Sequence, residues 1–321
     1  MDVTSFCRQS RTVIVAGKGG VGKSTITAAL ARMAADAGLS VLVVDLEGKP
    51  GMATAFGGAG PLHYDQRVLA AADGNTGEVR ARRITPDDAL LQYLGDHGMR
   101  RMSKRLVSAG VIDLVSTAIP GIRDILVLGR VKQLERDDPA DVIVVDAPAT
   151  GHAMTFLSSA RGLLDAARSG PVRSQAAEVV ELLSDPSRSQ VVLVTLPEEM
   201  PVSEVVEAAF QLEDRVGVTL GPVVVNACLD GAPWLDADPA AAAAEAGVHL
   251  APGQADALRA AAAFHAERQR LQDGQLERLA AELPLPQLRT PVIFEPAVGP
   301  AELQRLADAL AAGIVRLDGP E

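Results

Sequence analysis

Residues 12–16 (TVIVA) form a short, β-branched apolar run that ends at Gly17. The segment Gly17-Lys18-Gly19-Gly20-Val21-Gly22-Lys23-Ser24-Thr25 follows it directly. This fits the pattern GxxxxGK[ST], placed between a buried strand and residues 24–38, whose apolar side chains recur at helical spacing. The chemistry needs this arrangement. Glycines let successive backbone N–H groups curl inward around phosphate oxygens. The helix N-terminus adds its positive end. Lys23 is a point charge for the β- and γ-phosphates, and the Ser24 hydroxyl is a ligand for Mg²⁺. Gly17, Gly19, Gly20, Val21, Gly22, Lys23, Ser24 and Thr25 are therefore the expected nucleotide-binding set, with ATP and Mg²⁺ as the expected ligands.

Further apolar runs repeat the same grammar. Residues 41–44 (VLVV) end at Asp45, and 141–145 (DVIVV) end at Asp146. Residues 190–195 (QVVLVT) and 222–225 (PVVV, ending at Asn226) follow, with 291–294 as a last, shorter strand. Short apolar runs alternating with helical stretches predict an α/β fold with a doubly wound, mostly parallel sheet. Each strand carries a polar residue or loop at its C-terminal end, where such sheets bind ligands. Residues 87–135 are too long for a simple crossover and read as a helical insertion, with a second helical excursion at 154–183. No internal repeat or linker interrupts the chain, so residues 1–321 read as one domain. The alanine run 240–244 carries no chemistry.

Composition narrows the partners. Thirty basic residues against 41 acidic give a net charge of −11, which disfavours nucleic acid and anionic lipid. Aromatic residues at 3% leave little for base stacking on single strands. Arg80, Arg82 and Arg83, with Arg100, Arg101, Lys104 and Arg105, read as a solvated helical face. Cys7 and Cys228 form no CxxC pair, so a structural zinc within the chain is not expected. Sparse cysteine, no apolar leader and no run of about 18 apolar residues point to a cytoplasmic protein.

Lys18 sharpens the reading, being one of only five lysines (18, 23, 49, 104 and 132). A basic residue at the loop's second position is kept from its own phosphates by the surrounding amides, but it can reach a partner's nucleotide. KGGVGKST resembles the deviant Walker A loop of the superfamily that holds MinD, ParA, the nitrogenase iron protein and the arsenite-pump ATPases (ArsA). There the front lysine crosses a dimer interface to the partner's ATP. Asp146-Ala147-Pro148-Ala149-Thr150-Gly151-His152 resembles DTAPTGH, the second switch of the ArsA and tail-anchored-protein targeting (Get) ATPases. The segments 120–124 (PGIRD) and 195–204 (TLPEEMPVSE) are similar to that family as well.

The resemblance implies a dimeric ATPase that couples hydrolysis to opening and closing, and it assigns roles by position. Asp45 lies near the Mg²⁺ shell. Glu47 orients the attacking water, a position where the family usually carries Asp. Asp146 is the Walker B acid that holds Mg²⁺ with Ser24, Gly151 belongs to the second switch, and Asn226 reads the adenine edge through an amide that both donates and accepts. The chain departs from the family in having no zinc-clip cysteines, no metalloid thiols in the helical insertion and a single phosphate loop, so the partner must come in trans. Bacterial single-domain ArsA/Get-type ATPases are the nearest pattern. The implied partner is a second copy or a paralogous ATPase, with a hydrophobic protein client or a membrane partner left open. The alternative is a MinD- or ParA-like positioning protein that binds membrane or DNA. Its C-terminal segment 300–317 is amphipathic but lacks a basic polar face.

Overall fold

The computed structural model describes residues 1–48, 50–96 and 121–317. Its strands are β1 (Thr12–Gly17), β2 (Val41–Asp45), β3 (Arg67–Ala70), β4 (Val79–Arg83), β5 (Val142–Ala149), β6 (Ser189–Thr195), β7 (Val223–Cys228) and β8 (Gln287–Pro291). They make one eight-stranded sheet in the order β3-β4-β2-β5-β1-β6-β7-β8. Only the β3–β4 pair is antiparallel. Every residue of β1, β2 and β6 is buried. Strands covered on both faces are apolar along their middles, with polar residues only at their ends, which is why they read as continuous runs rather than alternating ones.

The helices are α1 (Val3–Cys7), α2 (Lys23–Asp36), α3 (Gly51–Ala55), α4 (Pro86–Asp96), α5 (Ile122–Asp137), α6 (Thr150–Ala166), α7 (Pro171–Ser184), α8 (Glu199–Val216), α9 (Pro239–Glu245), α10 (Gln254–Glu282) and α11 (Pro300–Arg316). They build a core on each side of the sheet. On one side Ile26, Leu30 and Met33 of α2 pack with Leu303, Leu306, Leu310 and Ile314 of α11. On the other, Ile125 and Leu128 of α5, Leu157 of α6, Leu183 of α7 and Leu212 of α8 close the opposite face. The result is the doubly wound α/β architecture expected from the strand–helix alternation.

Ten of the fourteen residues of α2 are buried, because the helix lies between the sheet and α11. The apolar face of α11, the amphipathic segment already poorly suited to a membrane for want of a basic polar face, is thus part of the core. No helix among the described residues is long and apolar enough to cross a membrane.

Three expectations need correction. The last strand lies at Gln287–Pro291 rather than at 291–294. It is an edge strand with alternating burial, Leu288 and Thr290 inward, so its apolar signal is diluted. Pro291 closes it by lacking an N–H. Strands β3 and β4 were not anticipated at all. Their arginines do not form a solvated helical face: Arg80, Arg82 and Arg83 lie on β4. Val79 and Ala81 turn into the α2-side core. Arg82 is only 6% exposed and its guanidinium sits 4.2 Å from the centre of the Tyr64 ring, so a charged stem does the work of an apolar one. Arg100, Arg101, Lys104 and Arg105 lie outside the described residues, as do Lys49 and residues 97–120 of the expected insertion. The parts of 87–135 that are described belong to α4 and α5.

Candidate functional site: the phosphate loop and its two strand-end acids

The loop between β1 and α2 sits at the centre of the sheet, at the C-terminal ends of the parallel strands. The chain passes from β5 on one side of β1 to β6 on the other, so a crevice opens there. Lys18, Gly19 and Gly20 form its exposed rim, whereas Val21 and Lys23 are buried. Gly22 caps α2 in the left-handed conformation, φ +91°. A Cβ at this position would collide with the Asn226 side-chain amide, so glycine is required twice over.

Ser24 and Asp146 meet beneath the loop. The Ser24 hydroxyl donates to Asp146 Oδ2 at 2.5 Å. One turn along α2, the Thr27 hydroxyl donates to Asp146 Oδ1 at 3.4 Å. Thr25 is half-buried on the first turn of the helix. The parallel β2–β5 register sets Asp45 directly opposite Asp146, so two carboxylates stand side by side in an almost dry setting. Burial pushes the Asp146 carboxyl up to about 6. The nearby charges of Asp45 and Glu47 add to that rise, and the Ser24 hydrogen bond and the Lys23 ammonium oppose it. Burial also raises Asp45, against the pull of two backbone N–H groups and the Arg83 guanidinium.

The first loop is folded around Asp45. Its Oδ1 accepts from the backbone N–H of Glu47 at 3.0 Å and of Gly48 at 2.7 Å. Its Oδ2 is buried with no hydrogen-bond partner among the described residues. Glu47 spans to the second loop, where its Oε1 accepts from the Ala149 N–H at 2.8 Å. Thr150, Gly151 and His152 begin α6, but their side chains lie outside what the structure describes.

The donor set suits Mg²⁺. A hydroxyl, a carboxylate and an unpartnered buried carboxylate oxygen are all hard oxygens, with no thiol or imidazole among them. Among the described residues no three acidic, histidine or cysteine side chains converge to cage a metal alone. Mg²⁺ takes one or two protein oxygens and fills its shell with water and substrate phosphate, so the two observations agree.

Lys18 does not project freely. Its ammonium is ion-paired with Glu204 on α8 of the same chain. Asn226, two residues before the end of β7, donates from Nδ2 to the Val21 carbonyl at 2.9 Å and accepts at Oδ1 from the Thr290 hydroxyl of β8 at 2.9 Å. It therefore pins the phosphate loop. Ala227 follows with φ +57°, the one non-glycine left-handed residue among those described, at an irregularity in the β7–β8 register. Such a strained residue next to a site is a mark of constraint. Beside it a groove of about 760 Å³ opens, walled by Leu196, Leu229, Phe264 and Phe294.

Fold and loop together define a P-loop nucleotide-binding protein of the doubly wound type. The family profile of the anion-transporting ATPases (ArsA_ATPase) matches residues 10–169, and the chain belongs to that ArsA-type family. The ATPase BagA of Mycobacterium tuberculosis is 38% identical over 223 residues, covering 67% of this chain and 64% of the relative. An arsenical pump-driving ATPase of Escherichia coli is 28% identical over 219 residues, 67% of this chain and 34% of the pump. One from Acidiphilium multivorum is 27% identical over the same length and shares. The matched part thus spans less than two thirds of the mycobacterial relative's length and about a third of the pumps'.

Proposed function

We propose that the protein is a Mg²⁺-dependent ATPase that binds and hydrolyses ATP at the phosphate loop and works as a dimer whose opening and closing follow the nucleotide. The observation that carries this reading is the convergence of the phosphate-loop Ser24 with Asp146 and Asp45 next to the buried Lys23. In this arrangement the loop amides and Lys23 hold the terminal phosphates. Ser24 and Asp146 hold Mg²⁺, with Asp45 next to its shell, and the ion when bound offsets phosphate charge. Glu47 orients the attacking water once it is released from the Ala149 N–H. The groove beside Asn226 takes the base. Lys18 acts on the nucleotide of the partner, which is a second copy or a paralogous ATPase.

The unit that does this is residues 1–321 as one domain, with helical excursions at 87–135 and 154–183. A hydrophobic protein client or a membrane partner would be served by the dimer's cycle. The setting is the cytoplasm, a reading supported by two buried cysteines that are free thiols. The MinD- or ParA-like alternative is disfavoured by the commitment of the α11 apolar face to the core.

Calorimetry with Mg·ATP, together with phosphate release, tests the reading. Lys23→Ala should abolish ATP binding, because the loop loses its internal cation. Unchanged affinity in that variant would overturn the assignment.

A further inference from the structure

Arg83 ends β4 and stands in register with Asp45 of the neighbouring strand. Its guanidinium lies directly on Gly48: a Cβ at Gly48 would strike Cζ, Nε and Nη2 of Arg83 together. Gly48 is itself in the left-handed conformation, φ +73°. The Arg83 Nε is buried with no hydrogen-bond partner among the described residues. A flat cation has therefore been placed against the backbone of the first loop, over the turn in which the Glu47 and Gly48 amides close on Asp45 Oδ1.

We propose that Arg83 is a positioning residue for hydrolysis, its guanidinium plane clamping Gly48 so that the loop holds Asp45 and Glu47 in working geometry. The inference rests on the roles given above to those two acids. Glycine is needed at position 48 both for its backbone angle and for the close approach of the plane, but glycine alone leaves the turn free to leave that angle. A planar group resting on Cα removes that freedom. Lysine has a charge but no plane, so it is no substitute. Because the clamp touches the loop of the hydrolytic acids and not the phosphate cradle, it should govern turnover and leave ATP binding alone.

The test is steady-state ATPase kinetics on the full chain for Arg83→Gln, Arg83→Lys, Gly48→Ala, the Arg83→Gln/Gly48→Ala double variant and Glu47→Gln, with melting temperatures alongside. A small displacement of a reacting group can slow a reaction on the order of a hundredfold. Arg83→Gln and Arg83→Lys should each lose about tenfold or more in kcat, with KM for Mg·ATP and melting temperature close to wild type. Gly48→Ala should lose kcat likewise from the other side of the contact, with a lower melting temperature as well because alanine is strained at that backbone angle. The double variant should be no slower than the slower single one, as residues acting through one contact are not additive. Normal kcat in Arg83→Gln beside a slow Glu47→Gln would refute the clamp alone. So would a rise in KM at unchanged kcat, restoration by lysine, or losses that multiply in the double variant. No hydrolysis by the wild-type chain would remove the reading of the loop itself, and the clamp with it. Full turnover in both Glu47→Gln and Arg83→Gln would refute the clamp, whereas full turnover in Glu47→Gln beside a slow Arg83→Gln would support it with Asp45 as the acid it positions.

Discussion

Lys18, on the exposed rim of the phosphate loop, is ion-paired with Glu204 of α8 in its own chain. Glu204 Oε2 is also buried without a hydrogen-bond partner among the described residues. A lysine held this way must let go of its carboxylate before it can serve a neighbouring nucleotide. Half-exposed pairs are weak, worth about 0–1 kcal/mol, so the pair restrains the lysine without locking it.

Glu204→Gln should therefore tighten the Mg·ATP-dependent dimer by up to about fivefold, the equivalent of 1 kcal/mol. Lys18→Ala should weaken it and slow hydrolysis while leaving ATP binding intact. Sedimentation with a non-hydrolysable analogue reads the dimer, and phosphate release reads the rate. Normal hydrolysis by a monomeric Lys18→Ala protein would show that the lysine has no role in trans.

Glu47→Gln separates closing from chemistry. Glutamine retains an oxygen that can accept from the Ala149 N–H, so the contact between the two loops survives. It lacks the charge to orient water. Turnover should fall on the order of a hundredfold or more, with ATP binding and dimer formation unchanged. Retained turnover would move the water-orienting role elsewhere, with Asp45 the next candidate.

The Asp146 carboxyl makes the nucleotide-free protein sensitive to pH. Its titration is raised from an ordinary 3.8 to about 6. A group raised on folding favours the native state while protonated, and that benefit is lost as pH rises through the folded value. Above pH 6 the buried charge is a cost of about 3 kcal/mol, at 1.36 kcal/mol per unit. Asp146→Asn should therefore raise the melting temperature of the nucleotide-free protein at pH 7.5. The gain should shrink as pH falls towards 4. The same variant should lose the Mg²⁺ dependence of ATP binding. A melting gain that does not change with pH would contradict this account.

Arsenite and antimonite should not stimulate hydrolysis. Soft metalloids need clustered thiolates. Cys7 and Cys228 sit in the cores on opposite sides of the sheet, and burial pushes their thiols up to about 12 and about 11. Both stay protonated near neutral pH. A several-fold stimulation that disappears in Cys7→Ala or Cys228→Ala would contradict this.

The parts legible from sequence are those whose signal is local. β1, β2, β5, β6 and β7 announce themselves because cover on both faces leaves their middles as apolar runs, and Asp45 and Asp146 stand out as the first polar residues after such runs. β4 escaped notice because VRARR spends arginine where a strand usually has an apolar residue, and nothing local says that Tyr64 will lie against Arg82. Thr27 was one helical turn from the motif and open to inference. Arg83 over Gly48, Glu204 on Lys18 and Thr290 on Asn226 could not be read, because each joins residues 35 or more positions apart.

The covering of α2 by α11 has a consequence for how the chain is made. The helix that opens the phosphate site is synthesised some 270 residues before the helix that shields its outer face, from which Gln304 donates to Asp36 at 2.8 Å. Contacts across some 270 residues close late and at a cost in loop entropy. Until residues 300–316 have left the ribosome, the part of α2 that packs on α11 lacks that cover, and the nascent chain presents it to whatever waits at the exit tunnel.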